Sequence, residues 1–206
     1  TIITTDPSAL VSDSDSVTLA HADIPWVSRS ALKLIHALDH FHVDVSGLVV
    51  LDIGASTGGF TEVLLSRNAR HVYALDVGHG QLHEKILSDT RVTNMERTHI
   101  NEMTMQNFPL TIDVITVDVS FISITKILHT VSTLIPRGGK VIALIKPQFE
   151  VGRELINKGV VKDEKLRNRV VAEVALSARS LGFTVSDAEP SPIEGSDGNK
   201  EYLLLL

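Results

Sequence analysis

A chain of 206 residues with 43% hydrophobic content is long enough to bury one sizeable core and fits one domain with a short appendage. No apolar run reaches the roughly 20 residues that a membrane-spanning helix needs, and no basic and apolar leader marks a secretory signal. The absence of cysteine excludes disulfides and thiolate metal sites, the net charge of −6 excludes a uniformly basic nucleic-acid binder, and a cytoplasmic protein is expected.

Residues 1–24 are rich in Ser, Thr and Asp, carry Asp6, Asp13, Asp15 and Asp23 with no basic residue, and lead through "HADIPW" into the main domain. The first helix follows in "SRSALKLIHALDHF", where 3.6-residue periodicity gathers Ala31, Leu34, Ile35, Leu38 and Phe41 into an apolar stripe. Arg29, Lys33, His36 and His40 fall on the other side, either as a solvated face or as a cationic rim beside a site. His36 and His40 have the i, i+4 spacing of a zinc pair, but no third ligand accompanies them in the sequence, so no metal is expected.

From there short apolar runs alternate with helical patterns, which predicts an α/β fold with a doubly wound, mostly parallel seven-stranded sheet and helices on both faces. The predicted strands are "LVVLDI", "HVYALDV", "VTNME", "DVITVDV", "KVIALIK", "FTVSDAE" and "EYLLLL"; four are nearly continuous apolar runs, as strands covered on both faces should be.

The stretch "LDIGASTGGF" joins the first strand to the next helix. Ser56 stands where a dinucleotide fingerprint needs its second glycine, and no G-K-[ST] follows, so neither an NAD site nor a P-loop is expected. What remains is a bare turn, Gly54 to Phe60, between Asp52 and a second acid, Asp76, at the end of the next strand. A carboxylate there can accept both hydroxyls of a ribose, which suits S-adenosylmethionine, a cofactor with a ribose and no phosphate. A plain strand-to-helix turn is the alternative. Asp52, Gly54, Ala55, Ser56, Thr57, Gly58, Gly59, Phe60, Asp76, Val77 and Asp118 are the candidate cofactor residues.

Asp118 and Lys146 end two buried strands at the edge where such sheets do chemistry. A lysine at the end of a buried strand needs acids beside it and can serve as a proton acceptor. With Lys33 and Glu201 they make two lysines and two acids, for each of which a structural ion pair is the plainer explanation. Between Lys146 and Arg169 seven basic residues face four acids. Arg29 and Lys33 on the first helix, and Arg153 and Lys158 here, form a modest basic patch and are the candidate contacts for a nucleic-acid partner.

From Trp26 onward the chain resembles the TlyA-type haemolysin A family of FtsJ-like ribose 2′-O-methyltransferases, in "WVSRSALKL", "LDIGASTGGFTEVLL", "VYALDVGHGQL", "VTNMERTHI", "DVITVDVSFISI", "ALIKPQFEVGRELINKGVV", "SPIEGSDGN" and "KEYLLLL". The resemblance implies S-adenosylmethionine-dependent methylation of a ribose 2′-hydroxyl, of cytidine, in ribosomal RNA or ribosomal subunits. It also implies a catalytic Lys-Asp-Lys-Glu tetrad on Lys33, Asp118, Lys146 and Glu201, with Glu194 the weaker candidate for the last member. Members of the family begin with an S4-type RNA-binding domain, of which residues 1–24 resemble only the last strands; residues 25–206 make the methyltransferase domain. A small-molecule methyltransferase, a non-catalytic RNA-binding module and a membrane-active haemolysin are the other readings, and no segment has the length or basic amphipathic character to insert into a membrane.

Overall fold

The apolar runs of the sequence assemble into one sheet in a computed structural model that describes Ser12 and residues 24–152, 155–195 and 198–206. The expected S4 remnant, residues 1–24, lies outside the described residues apart from Ser12 and Ile24, as does Arg153. Seven strands, β1 (Val49–Ile53), β2 (His71–Leu75), β3 (Val92–Met95), β4 (Val114–Val117), β5 (Lys140–Ile145), β6 (Glu189–Pro190) and β7 (Tyr202–Leu205), lie in the order β3-β2-β1-β4-β5-β7-β6. The first five are parallel; β7 runs antiparallel between β5 and β6. The expectation of a doubly wound, mostly parallel α/β sheet holds, and the antiparallel β7 makes the sheet mixed.

Side-chain alternation sorts the strands between two cores. Val49, Leu51 and Ile53 of β1, with Ile115 and Val117 of β4, face α4 (Thr125–Leu134) and α6 (Glu164–Ser180). Val50 and Val114 face the opposite way, toward α1 (Ala31–His40), α2 (Gly59–Ser66) and α3 (Glu84–Leu87). A short α5 (Pro147–Glu150) begins directly after β5, its proline in the first turn where a missing N–H costs no helical bond. Asp163 caps α6 by accepting from the N–H groups of Lys165 and Leu166.

Two sequence expectations are corrected. The strand predicted over "FTVSDAE" is reduced to Glu189–Pro190: Ser186 donates its N–H to the Leu205 carbonyl but meets the Leu205 N–H with its hydroxyl, so the backbone ladder is broken there. On α1 the buried residues are Ala31, Lys33, Leu34, Ala37 and Leu38, whereas Ile35 and Phe41 are half-buried. Lys33 is therefore not part of a solvated or cationic face; an acid from the far end of the chain draws it inside.

Candidate active site

The carboxyl edge of the parallel strands holds a cleft of about 320 Å³, lined by Gly54, Asp76, Val77, Ile100, Asp118 and Phe121 among others. This volume falls at the lower end of the usual range for small-molecule sites.

Gly54 explains why the turn after β1 is bare. Its φ is +85°, and a Cβ added to it would fall on the Asp118 carbonyl, so only glycine lets this turn lie beside the end of β4. The backbone that Gly54 approaches so closely is thus the protein's own. Ser56 also takes a left-handed conformation, φ +49°, and donates its N–H to Asp76 Oδ2 at 2.8 Å; the Gly78 N–H reaches Oδ1 at 2.7 Å. Two backbone amides thus fix the Asp76 carboxylate at the cleft wall and leave each oxygen a further acceptor site. From the expected cradle, Gly54 and Ser56 line the cleft with Asp76, Val77 and Asp118. Gly58, Gly59 and Phe60 instead turn into the packing of α2: Gly58 caps the helix in a left-handed conformation against Leu82 and Ile86, Gly59 abuts Ser28 and Ser30, and Phe60 joins the core. Ala55 is buried and Thr57 exposed, neither of them on the cleft wall.

Asp52 is a correction. It is fully buried on the α2 side of the sheet, where Thr61 and Thr116 donate hydroxyls to its two oxygens at 2.7 and 2.8 Å. Its side chain points away from the cleft because alternation along β1 turns it to the opposite face from Leu51 and Ile53. Burial pushes its carboxyl up from 3.8 to about 6; the two threonine hydroxyls oppose that rise, and the charge of Asp118 adds to it.

The four tetrad candidates form two ion pairs. Lys146 Nζ lies 2.5 Å from Asp118 Oδ1, off the line of a hydrogen bond, and donates to Ser120 Oγ at 2.9 Å. Lys33 Nζ donates to Glu201 Oε2 at 2.6 Å, with both side chains buried. The strands bring the pairs to one edge: Ile53 pairs with Val117, so Gly54 and Asp118 follow together, and Ile145 pairs with Tyr202, so Lys146 and Glu201 occupy the next position of the antiparallel register. Glu194 takes no part, being half exposed and bridged to Lys200. Gly195 makes room for Glu201, since a Cβ there would fall on its carboxylate.

Several site residues escaped the sequence reading. Glu96 accepts from the amides of Gln81 and Leu82 and tethers a loop that lines the cleft; backbone bonds from Gln81 and Gly80 pull its carboxyl down to about 2. The signal was an acid ending "VTNME". Glu150 accepts from Ser123 Oγ and the Ile124 N–H, tying α5 to the loop after β4, and its own burial pushes its carboxyl up. That loop presents Phe121 at φ +64° and 91% exposed, its ring 5.1 Å from that of Phe149. A bulky residue held left-handed and outside the core is strained for a reason other than packing. Of the RNA candidates, Arg29 and Lys158 are exposed, while Lys33 is committed to Glu201. Among the described residues no helix is long and apolar enough to cross a membrane.

A sheet of this order, with an antiparallel β7 and a carboxylate-walled cleft at its carboxyl edge, is the Rossmann-like methyltransferase fold. Structures that share only the fold include an S-adenosylmethionine-dependent methyltransferase from Aquifex aeolicus, at TM-score 0.59 and 19% identity over 87% of this chain and 93% of that one. The chain belongs to the FtsJ-like methyltransferase family, whose sequence pattern spans residues 26–206, and to its TlyA and haemolysin A branch. It is 43% identical over 202 residues to the 16S/23S rRNA (cytidine-2′-O)-methyltransferase TlyA of Mycobacterium tuberculosis, covering 97% of this chain and 75% of that protein. It is 40% identical over 195 residues to Hemolysin A of Brachyspira hyodysenteriae, covering 94% and 81%. A crystal structure from Lactococcus lactis superposes at TM-score 0.86 with 44% identity over 87% of each chain.

Proposed function

We propose that this chain methylates a ribose 2′-hydroxyl, that of a cytidine in ribosomal RNA, with S-adenosylmethionine as the donor. The observation that carries the proposal is the meeting of two lysine–carboxylate pairs, Lys146–Asp118 and Lys33–Glu201, at the strand edge that also forms the Asp76 cleft. The activity named for the Mycobacterium tuberculosis relative supports the choice of substrate.

The residues of the cleft fit the cofactor. Asp76 retains acceptor capacity for the hydroxyls of a ribose, and Leu75, Ile100 and Ile127 give apolar walls for a base. When bound, S-adenosylmethionine supplies a methyl group on a positively charged sulfur, which leaves as a neutral thioether. The chain's own work is at the acceptor oxygen. A ribose hydroxyl is a poor nucleophile near neutral pH, and a positioned base is worth roughly 10² to 10⁴ in rate. Lys146, as the free amine, takes the hydroxyl proton while the oxygen forms its new bond to carbon, and Asp118 beside it holds the ammonium that results. Ser120 fixes the direction of the Lys146 amine. Glu201 holds Lys33 at the adjoining position, where its charge orients the hydroxyl or a neighbouring phosphate. Phe121 offers an exposed ring on which a base drawn out of the RNA can stack. Arg29 and Lys158 serve as phosphate contacts, with Arg153 expected to join them, and an S4-type domain preceding residue 25 would add affinity.

The test is transfer of labelled methyl from S-adenosylmethionine to ribosomal subunits, free ribosomal RNA and a panel of small hydroxylated molecules. Label at a cytidine 2′-oxygen is the expected result. Label only on small molecules, or RNA retained without label, would replace the proposal with one of its rivals.

A further inference from the structure

His36 and His40 have a third partner that the local sequence does not reveal. Glu189, more than 140 residues further on, is brought by β6 to the same side of α1: His36 Nε2 lies 2.8 Å from its Oε1 and His40 Nε2 lies 3.5 Å from its Oε2. The nearest ligand atoms of the three residues all lie within 4.8 Å of one another. The two imidazoles are near parallel, at 24° with centroids 5.8 Å apart, so one turn of helix aims two ring nitrogens at one carboxylate.

We propose that His36, His40 and Glu189 form a binding site for a divalent transition metal of the zinc type. The donor set is right, with two neutral imidazole nitrogens and one carboxylate leaving a fourth position for water. The spacing is right as well. Bonds of about 2.0 to 2.1 Å around a tetrahedral ion separate neighbouring ligand atoms by about 3.3 Å, and one ligand atom from each of the three residues already lies within 4.8 Å of the other two, a gap that rotation of these partly exposed side chains closes. Side chains 34%, 44% and 25% exposed leave an ion a path from solvent. Without an ion, one carboxylate is shared by two imidazoles; an ion between them satisfies all three at once.

The site's position gives it a use. His36 and His40 lie one and two turns beyond Lys33 on α1, and Glu189 pairs with Leu203 of β7, two residues from Glu201. A metal here would fasten the helix that carries Lys33 to the strand pair that carries Glu201, outside the cleft and apart from the methyl-transfer chemistry. It would act as a structural clamp.

The experiment uses the whole chain without an affinity tag, stripped with a chelator and titrated with zinc chloride by calorimetry, with melting curves at each metal ratio. The same titration is run on His40→Gln and Glu189→Gln. His40 is exposed and glutamine keeps a polar side chain there, so the metal-free variant loses only its ring contacts with His36 and Phe41 and should still melt cooperatively, within a few degrees of the parent. The proposal expects one equivalent of zinc in the parent, a melting temperature that rises with zinc, and at least tenfold weaker binding in both variants. Cobalt should give the intense visible bands of a tetrahedral site in the parent alone. A parent that takes up no zinc, or variants that both keep the parental affinity, would overturn it. Neither readout depends on methyl transfer.

Discussion

Lys146 and Glu201 face each other one step beyond the last paired residues of β5 and β7, so the antiparallel strand joins the Lys146–Asp118 pair to the Lys33–Glu201 pair. No local motif contains this relationship. It depends on a reversal of strand direction at the edge of the active site, and it makes the roles of the two lysines separable by mutation.

Lys146→Met should abolish methyl transfer while leaving cofactor affinity within a few-fold. Methionine keeps the unbranched stem and removes the amine, so little packing is lost. Single-turnover rates should fall by at least about 10², the contribution expected of a general base, and residual activity should rise at high pH as the ribose hydroxyl ionises. If Lys146 only balanced Asp118, the variant would lose stability instead. A variant that melts normally and transfers methyl at the parental rate would remove Lys146 from the mechanism.

Asp76→Ala should weaken S-adenosylmethionine binding by at least about tenfold, because hydrogen bonds to a charged group are worth roughly 1.5 to 3 kcal/mol each. The same change frees the N–H groups of Ser56 and Gly78, so the cleft wall should loosen too. Calorimetry on the folded variant decides it; an unchanged dissociation constant would exclude Asp76 from the cofactor site.

Gly195→Ala should reduce kcat at least about tenfold with little effect on cofactor affinity, because the new methyl group must displace the Glu201 carboxylate from Lys33. Glu194→Gln, next to it in the chain, should change neither, since Glu194 is exposed and, among the described residues, its ion pair is with the exposed Lys200. Equal losses from both substitutions would show that the turn, rather than Glu201, matters.

Asp52→Asn should flatten the pH dependence of stability. The folded carboxyl titrates near 6 against an ordinary 3.8, so between those values the folded protein holds a proton that the unfolded chain has lost, and stability falls as pH rises through that window. Above it the full cost, on the order of 3 kcal/mol, is present. Asparagine carries no charge and can still bond to Thr61 and Thr116. Its melting temperature relative to the parent should therefore rise by several degrees between pH 4 and pH 7; parallel curves would contradict the titration.

The strands that build the site were legible because parallel strands covered on both faces must be apolar throughout, and "DVITVDV" and "KVIALIK" end in charges that cannot be part of that core. Asp118 and Lys146 could be picked out on that ground alone. Lys33 was harder: helical periodicity assigned it to the polar side because its partner lies 168 residues away. Asp52 misled in the opposite direction, since an acid beside a glycine turn reads the same whether its side chain enters a cleft or meets two threonines behind the sheet. "FTVSDAE" looked like a strand but lost its ladder to the hydroxyl of Ser186, a substitution that depends on which residue lies opposite. The resemblance places Glu201 ahead of Glu194, and the register of β5 with β7 is what sets Glu201 beside Lys146. In each failure the missing information was a partner distant in sequence.

The placement of β7 between β5 and β6 also bears on how the protein is made. A growing chain can pair β1 to β5 in parallel as each unit appears, but the gap beside β5 stays open until residues 202–205 have been synthesised. Until then β5 has an unpaired edge and Lys33 has no acid to meet, so the nascent protein presents an exposed strand and an uncompensated cation. Completion of the sheet and pairing of Lys33 with Glu201 are therefore the same late, long-range event, and a chain released before that point should be prone to aggregate.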